Sequence, residues 1–483
     1  MTGNDAPFGF NQCNIALNNG DGTFEVMPMP EDQCPEYVSG IAIADVNNDS
    51  ILDVFITTFG AAVEAGHPLS MIQPDHRLLL GNGDGTFIRA TGPGTELLEA
   101  HPFPCTALFT DVDDDGWIDL MVGSCRFIPG PLTIFRNQMG GPEPEQWADV
   151  TNGKVQLDPQ QRLMGAGGQP YGFWMGLSTG DLNNDGSLDF FVGNTGDIFR
   201  NGTQIAPRQA TNNMILMKDP EQGTYVESYT ELLADAQLPI VPWTWAASLQ
   251  DFENSNGPDG INTVGAFPLS SNNEGLIYER PSDEAPYDLL SADTFNIGFA
   301  QSMVAADWSM DGRIDYAFID RDLTIPQAVR VFENTVENCH SFLKVKLVSR
   351  GNSINTQAIG AKVVMYGPYG GPKARQVTAG TNNRSTEDAT VNFGLGQFNA
   401  AEDEVVLSVQ WPGSYGETVR YVLNPRSGPG RRSHVAPGCG NPNNKVVTIS
   451  YEEGLISCRR PKVGFGGFEL EEAEEEEEYM RSS

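Results

Sequence analysis

Five nine-residue stretches place aspartate, or a residue able to stand in for it, at positions 1, 3, 5 and 9. They are DVNNDSILD (45–53), DVDDDGWID (111–119), DLNNDGSLD (181–189), DFENSNGPD (251–259) and DWSMDGRID (307–315). In a tight loop, side-chain oxygens at this spacing converge on one point, joined by a main-chain carbonyl from position 7. Such a point suits a hard cation, and calcium takes six to eight oxygens at about 2.3–2.6 Å in tolerant geometry. Magnesium needs a tighter octahedron, and transition metals prefer the His or Cys that these loops lack. The first loop offers Asp45, Asn47, Asp49, the carbonyl of Ile51 and Asp53; the second offers Asp111, Asp113, Asp115, the carbonyl of Trp117 and Asp119. The third offers Asp181, Asn183, Asp185, the carbonyl of Ser187 and Asp189, and the fifth Asp307, Ser309, Asp311, the carbonyl of Arg313 and Asp315. Four Ca2+ sites are expected here. The fourth loop is a weaker, fifth candidate: Asp251, Glu253, Ser255 and Asp259 keep the spacing, but Ser255 is neutral, Glu253 is longer, and Gly257-Pro258 alters the turn. Gly116, Gly186 and Gly312 at position 6 permit the sharp bend, and Ser50 replaces glycine in the first loop at mild strain. No flanking helix and no regular Glu at position 12 accompany the loops, which excludes an EF-hand.

Strands must hold these loops. The first aspartates lie 66, 70, 70 and 56 residues apart. Short apolar runs flank them, GIAIA and VFITTF around the first, TALFT and LMVGS around the second, GLSTG and FFVGN around the third. Runs of this length bounded by Gly and Asp read as strands, so each motif is the loop of a β-hairpin. A second hairpin follows in most units. LLLGNGDGTFIRA (78–90) is strand, glycine turn, strand, and NIALNNGDGTFEV (14–26) nearly copies it. TIFRNQ (133–138), DIFRNG (197–202) and RVFENT (330–335) read as degraded versions, with Asn82, Asn137, Asn201 and Asn334 in register. Two hairpins make a four-stranded antiparallel sheet, and repeats of this content predict an all-β propeller. Gly/Pro-rich inserts such as 140–175 and 204–245 take up the extra length. Five complete units and a half unit (about 8–30) are visible. Because a ring must close to cover its strand edges, six or seven blades are expected, with C-terminal strands or, preferably, residues upstream of Met1 completing it.

Composition narrows the function classes. With 29 Lys+Arg against 64 Asp+Glu, the 483-residue chain carries a formal charge of −35. That repels nucleic acid and anionic membranes. No apolar run reaches the ~18–20 residues of a membrane span, so neither nucleic acid nor membrane insertion is expected. Residues 1–12 lack the features of a secretory signal. From Arg459 to Ser483 the chain reads as a solvated acidic tail. The seven cysteines contain no CxxC; Cys105 and Cys125 flank the second loop symmetrically, and Cys13–Cys34 and Cys439–Cys458 are further pairs, leaving Cys339 odd. Disulfides imply an oxidising compartment. Asn201 and Asn383 head glycosylation acceptor patterns. Catalysis finds little support, since His67, His76, His101, His340 and His434 form no acid–base or nucleophile motif, and His67, His76 and His101, which fall in one insert, read as surface loop histidines. Trp147, Phe173, Trp174, Trp243 and Trp245 read as buried packing rather than a ligand groove.

The strand–DxDxDGxxD–strand units with their NGDGTF hairpins resemble the FG-GAP/VCBS repeats of integrin-type β-propellers over residues 8–340. The region 341–458 resembles the ASPIC/UnbV domain, which follows such propellers in cartilage acidic protein and its bacterial and algal relatives. The residues that carry this second likeness are Gly360-Ala361-Lys362, Phe393-Gly394-Leu395-Gly396 and Trp411-Pro412. Gly380-Thr381-Asn382-Asn383 departs from the Gly-Ser-Gly-Tyr-like turn usual there. Alternating runs such as VVLSV and KVVMY independently predict a small β-sandwich. The reading is a secreted or cell-surface calcium-binding interaction module, its partner an extracellular protein or glycan. A polysaccharide lyase or hydrolase working in the propeller funnel is the rival.

Overall fold

The computed structural model describes residues 13–459 apart from 59–74, 125–129, 139–146, 158–169, 205–212, 229–243, 265–275, 280–287, 292–299, 321–327, 424–444 and gaps of four residues or fewer. Five antiparallel sheets follow one another in chain order, each beginning with the hairpin that carries a carboxylate loop. The first blade is Val38–Ala44, Asp53–Thr58, Arg77–Gly81 and Phe87–Arg89; the second is Pro104–Thr110, Asp119–Ser124, Gly130–Asn137 and Trp147–Asp149. The third is Trp174–Gly180, Asp189–Asn194, Met214–Asp219 and Thr224–Glu227, with Val155–Gln156 added in parallel at its rim. The fourth is Ala246–Gln250, Gly260–Val264, Leu276–Glu279 and Asp288–Ser291, and the fifth is Ala300–Ala306, Asp315–Asp320 and Ala328–Phe332. The first strands of successive blades lie side by side. This is a β-propeller.

Burial falls from the axis outward, which explains the unalternating apolar runs. Pro104–Thr110 and Asp119–Ser124 are buried throughout because neighbouring blades cover both faces, whereas Phe87–Arg89 at the rim is mostly exposed. Leu108, Met121 and Ile134 of the second blade pack on Trp174, Phe190 and Tyr225 of the third. Where first strands meet, side chains must vanish: a methyl on Gly40 would lie 3.0 Å from the carbonyl oxygen of Cys105. A bulge recurs near the start of the first strand in four blades, at Val38/Gly40, Pro104/Thr106, Trp174/Leu177 and Ala300/Ser302.

Several expectations change. The outer hairpin of the third blade is Met214–Asp219 with Thr224–Glu227, not DIFRNG. Phe199–Arg200 and Thr203–Gln204 pair only with each other, and Asn201 lies outside the described residues. The polar Lys218 and a six-residue strand hid this hairpin inside a segment that reads as an insert. The segment 140–175 likewise supplies the fourth strand of the second blade, Trp147–Asp149. His76 and His101 are not surface residues. They are 0% and 4% exposed, and they link two strands, His76 Nδ1 to Thr58 Oγ1 (3.1 Å), His76 Nε2 to the carbonyl of His101 (2.9 Å) and His101 Nε2 to Thr133 Oγ1 (3.1 Å). Trp147, Phe173, Trp174 and Trp245 are buried as expected, and Trp243 lies outside the described residues, as do His67, His434 and Asn383. Cys13 is bonded to Cys34. Cys105 and Cys458 are disulfide-bonded too, while Cys125, Cys339 and Cys439 lie outside the described residues.

The hairpin Asn14–Asn18/Phe24–Pro28 forms its own two-stranded sheet beside the first blade. Among the described residues no C-terminal strand joins it. Those strands build a β-sandwich instead. One sheet runs Val391–Gly396, Ser341–Val348, Lys445–Ser450, Gly454–Arg459; the other runs Lys373–Gln376, Lys362–Tyr366, Val405–Gln410, Thr418–Leu423. Its core is continuous with the propeller's: Val363, Phe393 and Trp411 share one cluster with Ala42, Phe109 and Ile118. Among the described residues no helix is long and apolar enough to cross a membrane.

Candidate metal centre

Each loop is folded by its own first aspartate, whose two oxygens accept the N–H groups of positions 5 and 6. Asp45 accepts from Asp49 (3.0 Å) and Ser50 (2.9 Å), and Asp111 from Asp115 (3.1 Å) and Gly116 (2.8 Å). Asp181, Asp251 and Asp307 repeat the pattern. The bend puts positions 4 and 6 in the left-handed region. Position 6 holds Ser50 (φ 74°), Gly116, Gly186, Asn256 (φ 62°) and Gly312, and position 4 holds Asn48, Asp114, Asn184, Asn254 and Met310 (φ 53–59°). Asn and Asp tolerate that conformation better than other L-residues. The fourth loop therefore keeps the common turn through Asn256, while Pro258 lies outside the described residues.

The ninth aspartate is a clamp. One oxygen accepts the N–H of position 2, from Val46 to Asp53 (2.9 Å), Val112 to Asp119 (3.0 Å), Leu182 to Asp189 (2.8 Å) and Trp308 to Asp315 (3.0 Å). The other accepts an N–H from the third strand, donated by Gly81, Asn137, Lys218 and Asn334 respectively. The residues in register are thus Gly81 and Lys218 where Asn82 and Asn201 were expected. Position 7 closes the turn, since Ile51, Trp117, Ser187 and Arg313 each donate N–H to the position-5 carboxylate at 2.7–2.9 Å.

Whether an ion fits is decided by the oxygens left over. In the second loop Asp111, Asp113 and Asp115 present carboxylate oxygens within 4.8 Å of one another. Asp113 Oδ1 is buried and has no hydrogen-bond partner. Its other oxygen meets Arg136 Nε at 2.9 Å and Lys154 at 3.5 Å, and Arg136 also reaches Asp115 at 3.2 Å. In the first loop the Asn47 amide donates to Asp49 Oδ2 (2.9 Å), and in the third Asn183 donates to Asp185 Oδ2 (3.0 Å); among the described ion pairs no protein cation reaches either loop. Among the described residues, the second loop alone gathers three acidic groups close enough to hold a metal ion. The fifth fits less well: Lys344 Nζ lies 2.7 Å from Asp307 Oδ2, and Arg313 pairs with Asp311. Burial pushes Asp45 up to about 6 and Asp53, Asp111 and Asp181 up to about 7, and it raises Asp119 and Asp189 well above the ordinary carboxylate value. A bound divalent cation would reverse that logic and hold the same groups ionised.

The C-terminal sandwich sits on the loop end of the propeller. Lys362 Nζ lies 2.8 Å and Lys218 Nζ 2.6 Å from Asp114, and the two cations outweigh burial and hold that carboxyl below its usual value. Gln410 donates to Asp111 Oδ2 (3.0 Å), and the Ala374 N–H to Asp181 Oδ2 (2.9 Å). Arg375 makes a two-pronged pair with Asp259, 2.6 Å to Oδ1 with the second prong on Oδ2. The segment 374–387 reaches all five blades: Ala379 accepts from Ile43 N–H, Gln376 from Thr110 and Glu387 from Gln250, while Ala374 binds Asp181 and Ser385 donates to the carbonyl of Met303. Gly380 (φ 107°) permits this approach, for a methyl there would lie 2.6 Å from Ala42 Cα. Glu387 is half-buried in this seam, and desolvation pushes it up to about 7 although Ser248 and Arg375 oppose the rise. Residue-by-residue reading missed Lys344, Lys362, Lys373, Arg375 and Gln410. The available signal was the run of basic residues on sandwich strands in an otherwise acidic chain.

Residues 351–425 match the ASPIC and UnbV family, and residues 111–192 match the FG-GAP-like repeat. The chain joins FG-GAP-like repeats to an ASPIC and UnbV domain. The matched FG-GAP-like segment contains the second and third loops, and the ASPIC and UnbV segment supplies most of the groups that meet them. Gly360-Ala361-Lys362 is an interface element, because Lys362 binds Asp114 and a methyl on Gly360 would come 2.9 Å from Ile118 Cδ1. No curated protein matches the chain. Among solved structures it is similar to the major allergen Mala s 1 of Malassezia sympodialis, at 9% identity over 68% of this chain and 88% of that one (TM-score 0.38). It is also similar to the Dos1 propeller, at 11% identity over 67% and 66% (TM-score 0.33). The GH32 β-fructofuranosidase of Bombyx mori gives 11% over 86% and 73% (TM-score 0.27).

Proposed function

We propose that the chain is a calcium-binding extracellular interaction module, in which Ca2+ ions fix the blade loops and the propeller presents a recognition surface for a protein or glycan. The observation that carries the metal reading is the buried, unpartnered Oδ1 of Asp113 within the Asp111–Asp113–Asp115 cluster. A buried carboxylate oxygen without a partner is costly. Calcium supplies that partner, with Asp111, Asp113 and Asp115 as its side-chain ligands in the second loop. Asp45, Asn47 and Asp49 hold the corresponding positions in the first, and Asp181, Asn183 and Asp185 in the third.

An oxidising, extracellular setting is supported by the Cys13–Cys34 disulfide. Because the sandwich covers the loop end, the opposite end, where the strands ending at Thr58 and Ser124 stop, is the face proposed for a ligand. Melting curves in calcium and in EDTA test the metal reading. A free calcium concentration 100-fold above Kd stabilises by about 2.7 kcal/mol per site. Coincident curves would refute it. Glycan-array and matrix-protein binding, measured with and without chelator, tests the recognition role, and binding to neither class refutes that part.

A further inference from the structure

We propose that Lys373 is the resident cation of the fourth loop: its ammonium stands where a calcium ion would, and the loop fastens the C-terminal domain instead of taking metal. Three of the converging positions of the motif meet this one side chain. Lys373 Nζ lies 3.3 Å from Asp251 Oδ2 at position 1 and 3.7 Å from Asp259 Oδ1 at position 9, and it donates to the carbonyl oxygen of Gly257 at position 7. An ammonium has three donors and no acceptor; here it donates to Asp251 and the Gly257 carbonyl and forms a longer ion pair with Asp259. All three charged groups are sealed, with Lys373 and Asp259 0% exposed and Asp251 4%. A buried lysine is tolerated only when it is paired in this way.

The rest of the loop agrees. Arg375, two residues along the same strand and so on the same face, pairs with both oxygens of Asp259. Two carboxylates therefore meet two cations. At position 5, Ser255 donates its hydroxyl to Asp251 Oδ1 (3.3 Å) and adds no charge. Asp259 also reaches beyond its own blade, accepting the N–H of Asp181 (3.0 Å). The strand Val391–Gly396 closes the site from above, leaving no room even for a methyl on Gly394, which would lie 2.2 Å from Asp251 Oδ2. The loss of aspartate at position 5, kept in the other four loops, is what a loop supplied with its own ammonium can tolerate.

The inference concerns the same motif as the reading above but does not need calcium to reach the other loops, and the test separates the two. The native chain is treated with an amine-reactive label in EDTA and in millimolar calcium, and Lys373 is compared by mass spectrometry with exposed Lys346 on the other sheet of the sandwich. Lys373 is expected to react at least about tenfold more slowly in both conditions, because labelling requires local opening. Fast labelling in EDTA, or labelling that appears only when calcium is added, overturns the proposal. As a second measurement, calcium bound per chain is counted for the native protein and for Asp251→Asn. The two counts are expected to be equal, and a count lower by one in the variant overturns the proposal. Should the native chain bind no calcium, the calcium reading fails while the labelling result in EDTA still decides the role of Lys373.

Discussion

Gly394→Ala probes how closely the sandwich is seated on the loops. In the folded chain the added methyl would lie 2.2 Å from Asp251 Oδ2, 2.4 Å from Asn254 C and 2.5 Å from Asn254 Cα. Carbon contacts are comfortable at about 3.5–4.0 Å, so strand and loop must part by roughly 1 Å. Two of the three neighbours are backbone atoms held by the Asp251 hydrogen bonds to Ser255 and Asn256, which leaves no flexible group to yield. Overpacking of this kind costs about 1–3 kcal/mol, and parting the surfaces also stretches the Lys373 contacts. In the other direction, Gly→Ala stiffens the unfolded chain and contributes about 0.4–1 kcal/mol of stability. The net expectation is a loss of about 2 kcal/mol, read as a lower urea midpoint. Gly153→Ala is the control: it lies in the short helix Thr151–Lys154 with nothing within 4 Å of the new methyl, and the same substitution should stabilise by about 0.4–1 kcal/mol. A Gly394→Ala chain as stable as the Gly153→Ala chain would show that the domain does not rest on the fourth loop.

Arg375→Met leaves the buried Asp259 short of its two-pronged partner, and urea denaturation should show a loss of about 3–5 kcal/mol. Burial pushes His76 down to about 4 and His101 to about 3, so both rings stay neutral in the fold and charge only on unfolding. Their contribution is full above pH ~6.5 and is lost as pH falls toward 4, about 3 kcal/mol for His76 alone; His76→Asn should flatten the stability–pH slope across that window. The disulfide closes a loop between residues 13 and 34, and a Cys13→Ser/Cys34→Ser chain should be about 3 kcal/mol less stable in denaturant titration. Asp113→Asn should weaken one calcium site at least about tenfold by calorimetry, leaving the others unchanged.

The blade plan was legible because its signals are local. A nine-residue spacing between short apolar runs specifies a hairpin and its loop, and NGDGTF specifies a glycine turn, seen in Gly83 and Gly85 at φ 84°. The doubled left-handed turn was half visible: glycine at position 6 stood out, while Asn48, Asp114, Asn184 and Asn254 at position 4 passed for ligand-rich loop composition. The third blade's outer hairpin escaped because MILMKDPEQGTYVE lacks the asparagine and glycine marks of its counterparts. His76 and His101 looked like insert residues because their burial comes from strands remote in sequence. The docking of Lys362, Lys373 and Arg375 was invisible for the same reason, since it joins positions more than a hundred residues apart. The glycines of the Gly360 and Phe393–Gly396 motifs acquire their physical reason only once the loops beneath them are seen.

The most direct test of the metal account is the calcium content of the folded chain after gel filtration, paired with its melting curve before and after chelation. One ion in each of the first, second and third loops is expected, together with a melting temperature that falls in EDTA and recovers when calcium is returned. A chain that carries no calcium and melts identically in EDTA contradicts the account.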